Sequence, residues 1–381
     1  MRREDINKLT TPYPVDGTAP PDPTEALGVH APNWRALENA VFADLKPSAP
    51  WGIAWWDPHP GTSRRILISD QLFCCTRSVN QNLVEAALHW LEYLDFRERE
   101  SDRNADVLSF VGGQPQIKMS PPKNTFEAVG DRLIQLHAAG VARALSGVLD
   151  CMAGTIIGVT ALPLSLLKAD LGVIRDYFEK RDKGGPYREG EYRQMEFGRK
   201  LEQLIRAAGP DDWLDWLLAF RNMLIHRGRR LEVGQFEPRL PILYDHRQRA
   251  IPRVDSIMQL ALDPGRSDVE VLVDASNTPV LSENASDTLA GALESTRRLA
   301  DDLGKELLEF WNWRKADPTK LPQPQKQWPK GRATQILAFA GYKPGSHPYN
   351  PGMLVSHPES LKRMLSAALE DRNRPSWTTF D

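Results

Sequence analysis

The chain has 381 residues, of which 41% are apolar and 26% are charged, and its formal net charge is −2. This composition is ordinary for a globular protein, and it excludes a strongly basic overall field of the kind that attracts nucleic acid. The length allows two domains, or one large domain with additional segments.

The N-terminus and the cysteines indicate the cellular compartment in which the protein is expected. The first residues, MRREDINKLTTPYP, lack the apolar run of a signal peptide, and no stretch reaches the roughly 18 apolar residues of a membrane span. The most apolar segment, 151–167, is interrupted by glycine and proline, and we interpret it as a buried turn between core helices. Cys74, Cys75 and Cys151 form neither a disulfide framework nor a zinc spacing. We therefore expect a cytoplasmic protein with no membrane partner.

Residues 1–70 are rich in proline and tryptophan. The prolines before residue 33 predict an extended arm, and Asn33 is expected to cap a short helix at 34–45. A short strand is predicted at 64–68. Three clustered tryptophans are interpreted as buried apolar side chains, with base stacking as the alternative: Trp51, Trp55 and Trp56.

Apolar side chains that recur every three or four residues predict a helical bundle within 71–316. The predicted helices are 76–99, 124–152, 163–181, 191–208, 211–228 and 288–315. Ser286 or Asp287 is expected to cap the last of them. Between the last two helices, turn residues and short apolar runs predict a β-rich insertion at about 232–280. Residues 317–381 are a proline-rich linker and tail, so the predicted class is mainly α with extended proline-rich terminal arms.

The helix predicted at 211–228 carries the sequence R-N-x-x-x-H, formed by Arg221, Asn222 and His226. Histidine titrates near neutral pH and can transfer a proton, whereas arginine stays charged and binds phosphate through two parallel hydrogen bonds. Asparagine can orient the imidazole or donate to a phosphate oxygen. Because RNA contains its own nucleophile, the 2′-hydroxyl, cleavage without a metal needs only an acid or base and a cation.

The asparagine makes this motif specific. The looser pattern R-x4–6-H also occurs at 132–137 and 239–246 and decides nothing, whereas R-N-x-x-x-H is expected in about one in a hundred chains of this composition. The structural alternative is that Arg221 pairs with a buried carboxylate, for which Glu196 and Asp176 are candidates, and that His226 caps the helix end.

Other candidate residues carry weaker signals. His137 lies within a predicted helix among apolar residues and is interpreted as a core or interface histidine, with a place in the site as the alternative. His59 has no second metal ligand near it in sequence, and His347 and His357 are expected to be exposed in tail loops. The chain contains no P-loop, no dinucleotide fingerprint and no H-E-x-x-H. We therefore predict no metal and no cofactor.

A helical bundle with R-N-x-x-x-H near the end of its third or fourth helix resembles the HEPN superfamily. Many HEPN proteins are metal-independent endoribonucleases in toxin–antitoxin, CRISPR and anti-phage systems. The resemblance covers about 75–316. It implies catalytic roles for Arg221, Asn222 and His226, RNA as substrate and a 2′,3′-cyclic phosphate product. It also implies a homodimer in which two copies of the motif share one cleft, with an antitoxin or regulatory partner.

The basic residues that follow the motif are expected to contact RNA: Arg227, Arg229 and Arg230. Two other functions remain open at this stage. The first is a non-catalytic HEPN-like module that binds RNA or a partner subunit. The second is a regulatory scaffold, which the near-neutral charge and the proline-rich arms favour.

Overall fold

A computed structural model of the chain describes part of its residues. The described residues are 22–44, 62–111, 114–117, 129–164, 166, 169–182, 187–226, 232–237, 240–244, 265, 267, 269, 280–321 and 342. Within them, only the backbone is described for 62–65, 100–111, 114–117, 131, 222–226, 232–237, 240–244, 280–284 and 318.

The described part of the chain is mainly helical, as predicted. Its α-helices are α1 (Pro23–Ala26), α2 (Pro32–Asp44), α3 (Thr62–Val107), α4 (Gly130–Thr160), α5 (Leu171–Arg181), α6 (Glu189–Ala208), α7 (Trp213–His226) and α8 (Ala285–Ala316). A 3₁₀ turn, Pro318–Lys320, follows the last helix.

Five short strands lie between these helices. β1 (Leu108–Val111) pairs antiparallel with β2 (Gln114–Ile117). β3 (Glu232–Glu237), β4 (Leu240–Tyr244) and β5 (Val280–Asn284) form an antiparallel sheet in the order β3-β4-β5. The described residues cover only part of 232–280, and the β-rich insertion stays a prediction.

The chain divides into two compact units. The first unit contains residues 1–35, 78–150 and 199–304, and the second contains 36–77, 151–198 and 305–381. Five helices contribute a segment to each unit: α2, α3, α4, α6 and α8. The predicted domain boundaries at residues 70 and 316 rest on changes of composition along the sequence, and they stay predictions.

Helix α3 begins at Thr62, so the strand predicted at 64–68 is wrong. Ile66, Leu72, Phe73 and Val79 are all buried. Their spacing follows a helical period, which continues the pattern predicted from residue 76 toward the N-terminus. The β-branched side chains in the run RRILI favour a strand locally, whereas burial along one helix face decides the structure.

Helix α4 continues to Thr160, through two glycines that were predicted to interrupt it. In the second unit, a Cβ added at Gly154 would lie 2.7 Å from Cys75 Sγ, and one at Gly158 would lie 2.5 Å from Leu72 Cδ1. In the first unit, a Cβ at Gly140 would lie 2.6 Å from the His89 ring. Because glycine has no Cβ, α4 approaches α3 closely at these three positions. The close packing offsets the low helix propensity of glycine.

At the end of helix α4, side chains that are distant in sequence bind its last carbonyl oxygens. Arg314 Nη1 donates to the carbonyl oxygens of Gly158 and Val159, at 2.8 and 2.9 Å, and Gln194 Nε2 donates to that of Thr160 at 2.7 Å. These bonds satisfy carbonyls that a helix C-terminus leaves without an internal partner. Arg314 is buried, and burial lowers its pKa to about 9.

The segment Arg132–Thr160 of α4 is the one stretch, within the described residues, that is long and apolar enough to cross a membrane. The expectation that no stretch is long and apolar enough to cross a membrane is therefore wrong for this segment. Of its most apolar window, 78% is buried inside the fold, and a core helix gives the same signal.

Two other helix starts also differ from prediction. Helix α5 begins at Leu171 rather than at residue 163, because the Asp170 carboxylate accepts from the amides of Gly172 and Val173 and caps it there. Helix α8 begins at Ala285, so Ser286 and Asp287 lie in its first turn and do not cap it.

Candidate functional site

Helix α7 lies within the predicted range 211–228 and carries the R-N-x-x-x-H motif. Phe220 is fully buried and stacks on Trp216 with ring centroids 5.0 Å apart, while Leu214 and Leu217 are also buried. Arg221 is the next residue after the buried Phe220, and 22% of its side chain remains exposed. The packing of the aromatic residues therefore fixes the rotation of α7 and brings Arg221 to the edge of the core.

Arg221 pairs with Asp150 of α4. The distance between Arg221 Nη2 and Asp150 Oδ2 is 3.0 Å, and the Asp150 side chain is 34% exposed. The partners predicted for Arg221 are wrong, because Glu196 pairs with Arg193 at 2.7 Å and Asp176 with Lys180 at 3.4 Å. Asp150 gave one sequence signal, because it is the one acidic residue in the segment Arg132–Thr160 of α4.

The other motif residues are described by their backbone alone. Asn222 and His226 lie on α7 one helical turn apart. Their side chains lie outside the described residues, as do Arg227, Arg229 and Arg230 entirely. The structure thus brings Arg221 to a carboxylate, and the association of the remaining site residues stays a prediction.

The guanidinium of Arg221 can bind a phosphate while it is bonded to Asp150. A guanidinium carries five N–H donors, so a bond to one carboxylate oxygen does not exhaust its ability to bind phosphate. A carboxylate beside it also fixes its orientation, which is what stabilisation of a developing negative charge requires.

His137 lies at the contact between α3 and α4, not beside Arg221. Its Nδ1 is 3.1 Å from Nδ1 of His89, and its ring stacks on Phe96 with centroids 5.3 Å apart. Burial lowers the pKa of His137, and the neighbouring His89 lowers it further, against the opposing effect of Glu92. This matches the interpretation as a core or interface histidine; the sequence did not single out His89.

Cys74, Cys75 and Cys151 form no disulfide bond. Burial raises the pKa of Cys75 to about 11, so its thiol is protonated at neutral pH and a poor nucleophile. Among the described residues, no group of three or more His, Cys, Asp or Glu side chains is placed to hold a metal ion. His59, His347 and His357 lie outside the described residues.

Comparison of the chain with protein-family models, curated proteins and solved structures finds no match.

Proposed function

We propose that the chain is a metal-independent endoribonuclease of HEPN type, which acts as a toxin or an anti-phage effector. The observation that carries the proposal is the placement of Arg221. It is a partly exposed arginine, held by a carboxylate at 3.0 Å, on the helix that also carries Asn222 and His226. The sequence motif and this anchored cation together support cleavage of a phosphodiester.

In the proposed reaction, the 2′-hydroxyl of RNA attacks the adjacent phosphorus and the 5′-oxygen leaves, which yields a 2′,3′-cyclic phosphate. Arg221 stabilises the charge that develops on the phosphoryl oxygens, and Asp150 holds the guanidinium in place. His226 transfers the proton as general acid or base, and Asn222 orients it. Arg227, Arg229 and Arg230 contact the RNA backbone.

The proposal includes a homodimer. Arg221 and His226 diverge by roughly 140° on an ideal helix, so one copy of α7 does not readily close around one phosphate. Two copies related by a twofold axis would place two arginines and two histidines in a shared cleft. The β-rich insertion and an antitoxin or regulatory partner belong to the same proposal.

The test is RNA cleavage by the purified protein in EDTA. Arg221→Met and His226→Ala are each expected to lower the cleavage rate by about a hundredfold or more, because each removes one part of the catalytic pair. Arg206→Met is the matched control, since Arg206 is an exposed arginine in the last turn of α6. Unchanged cleavage by both motif variants would overturn the proposal.

The bond between Arg221 and Asp150 also favours a second candidate, a non-catalytic module that binds RNA or a partner subunit. In that function the pair stabilises the fold or an interface rather than a transition state. It predicts that Arg221→Met and His226→Ala shift the protein from dimer to monomer on a sizing column. The nuclease proposal predicts that both variants lose activity and keep the wild-type elution volume.

A further inference from the structure

One face of helix α4 carries two arginines in line with Asp150, the residue that pairs with Arg221. Arg132 and Arg143 are both exposed, and their spacings to Asp150 are close to whole numbers of helical turns. On an ideal helix the three residues therefore lie within about 20° of one another, over a length of about 27 Å. All four residues belong to the first unit. This face of α4 thus leads from the Arg221 site toward the N-terminal end of the helix.

The charge of this face is positive. Within the described part of the chain, neither Arg132 nor Arg143 forms an ion pair. Asp150 is the one acidic residue in the segment Arg132–Thr160, and its contact with Arg221 at 3.0 Å offsets its charge. The face therefore presents three guanidinium groups against one carboxylate, although the net charge of the whole chain is −2. A row of cations of this kind attracts a polyanion.

Two acids of the neighbouring helix α3 face histidines instead of these arginines. Glu85 Oε1 lies 4.0 Å from His89 Nε2, and the charge of Glu92 acts to raise the pKa of His137. These two carboxylates therefore leave the arginines of α4 available for a negatively charged ligand.

The surface between Arg143 and Asp150 is low, because Gly147 lies there and has no side chain. Gly147 is partly exposed, and Asn82 of α3 packs against it, with Asn82 Nδ2 2.9 Å from the position that a Cβ would occupy. Glycine at such a place lets a ligand approach the helix backbone closely. A chain of phosphates can therefore lie along α4 beside the pair formed by Arg221 and Asp150.

We propose that this face of α4 binds the RNA strand on one side of the bond that is cut, with Arg143 and Arg132 each bound to a phosphate. The inference rests on the proposed function and adds two binding residues to it. The strand starts at the phosphate held by Arg221, passes over Gly147 and continues to Arg143 and then to Arg132. Contacts of this kind are independent of base sequence, and they hold the strand in the position that cleavage requires.

The test is equilibrium binding of the full chain to a 2′-O-methyl RNA of about 15 nucleotides, measured by fluorescence anisotropy at several salt concentrations. This RNA lacks the 2′-hydroxyl nucleophile, so it is not consumed. Arg143→Met and Arg132→Met are each expected to weaken binding about fivefold. Each should also lower the slope of log Kd against log salt concentration by about 0.7, the value for one phosphate contact on a single strand.

Arg206→Met is the matched control, because it removes the same charge from an exposed position on α6. It should bind the RNA as tightly as the wild type. Arg143→Lys keeps the charge and should keep the salt slope, which separates a phosphate contact from a packing effect. In cleavage of ordinary RNA, Arg143→Met should raise KM more than it lowers kcat.

The outcomes separate this inference from the nuclease proposal. If Arg143→Met and Arg132→Met both bind the RNA like Arg206→Met, the inference is overturned, whether or not the wild type cleaves RNA. If both variants lose affinity while the wild type does not cleave RNA in EDTA, this face of α4 binds RNA and the nuclease proposal alone fails.

Discussion

The pair formed by Arg221 and Asp150 has two possible roles, and its energy distinguishes them. A pair with side chains 22% and 34% exposed is partly screened by solvent, so its coupling should stay near that of surface ion pairs. A pair that holds the fold together would instead be strongly coupled, because breaking it leaves a buried charge.

A double-mutant cycle measures this coupling. We expect Arg221→Met and Asp150→Asn each to lower the free energy of unfolding by about 1 kcal/mol, with a coupling energy of about 0.5–1 kcal/mol. Urea unfolding of the wild type, both single variants and the double variant gives these values. A coupling energy of about 3 kcal/mol or more would contradict this expectation and would favour the structural role.

The partly buried His137 couples stability to pH. Burial lowers the pKa of His137 in the folded state below its ordinary value of 6.5. Protonation therefore favours the unfolded chain, so the contribution of His137 is complete above pH 6.5 and is lost as the pH falls toward the folded pKa. We expect the free energy of unfolding to fall between pH 7 and pH 5, and to fall less steeply in His137→Gln.

Urea unfolding of the wild type and of His137→Gln across this pH range measures both slopes. An equal slope in His137→Gln and the wild type would show that His137 does not carry the dependence.

At the scale of elements, two glycines of helix α8 form a matched pair. A Cβ added at Gly304 would lie 2.5 Å from the backbone nitrogen of Trp34 in α2, whereas one at Gly291 would have no atom within 4 Å. Asp301, one turn before Gly304, accepts from the backbone and side chain of Asn33 at 2.8 and 3.1 Å. The first turn of α2 is therefore fixed against α8.

Alanine at these two positions should change stability in opposite directions. Gly304→Ala forces α2 away from α8, and we expect it to lower the free energy of unfolding by about 3 kcal/mol. Gly291→Ala should raise that energy by about 0.5–1 kcal/mol, because alanine favours the helix and meets no obstacle. Chemical denaturation of the two variants checks both signs, and a loss of similar size in both would contradict the packing of α2 on α8.

The sequence predicts the interiors of these helices because their apolar period is local information. It does not predict their ends, because contacts between distant residues decide them. Helix α4 ends at Thr160, where Arg314 and Gln194 satisfy its last carbonyls, and neither side chain is near it in sequence. The partner of Arg221 escaped prediction for the same reason, since Asp150 lies 71 residues before it. The motif itself was visible because all its residues lie on one helix.

At the scale of the whole molecule, the proposed nuclease must leave one particular kind of end on the cleaved RNA. Attack by the 2′-hydroxyl requires no metal and leaves a 2′,3′-cyclic phosphate, whereas attack by a metal-activated water leaves an open phosphate end. The product end therefore reports on the mechanism independently of any variant.

The most direct measurement is the mass of the RNA fragments that the wild-type protein releases in EDTA. We predict cleavage in which the upstream fragment ends in a 2′,3′-cyclic phosphate and the downstream fragment begins with a 5′-hydroxyl. The absence of cleavage, or fragments with a 3′-hydroxyl and a 5′-phosphate, would contradict the proposal that Arg221 and His226 form a metal-independent nuclease site.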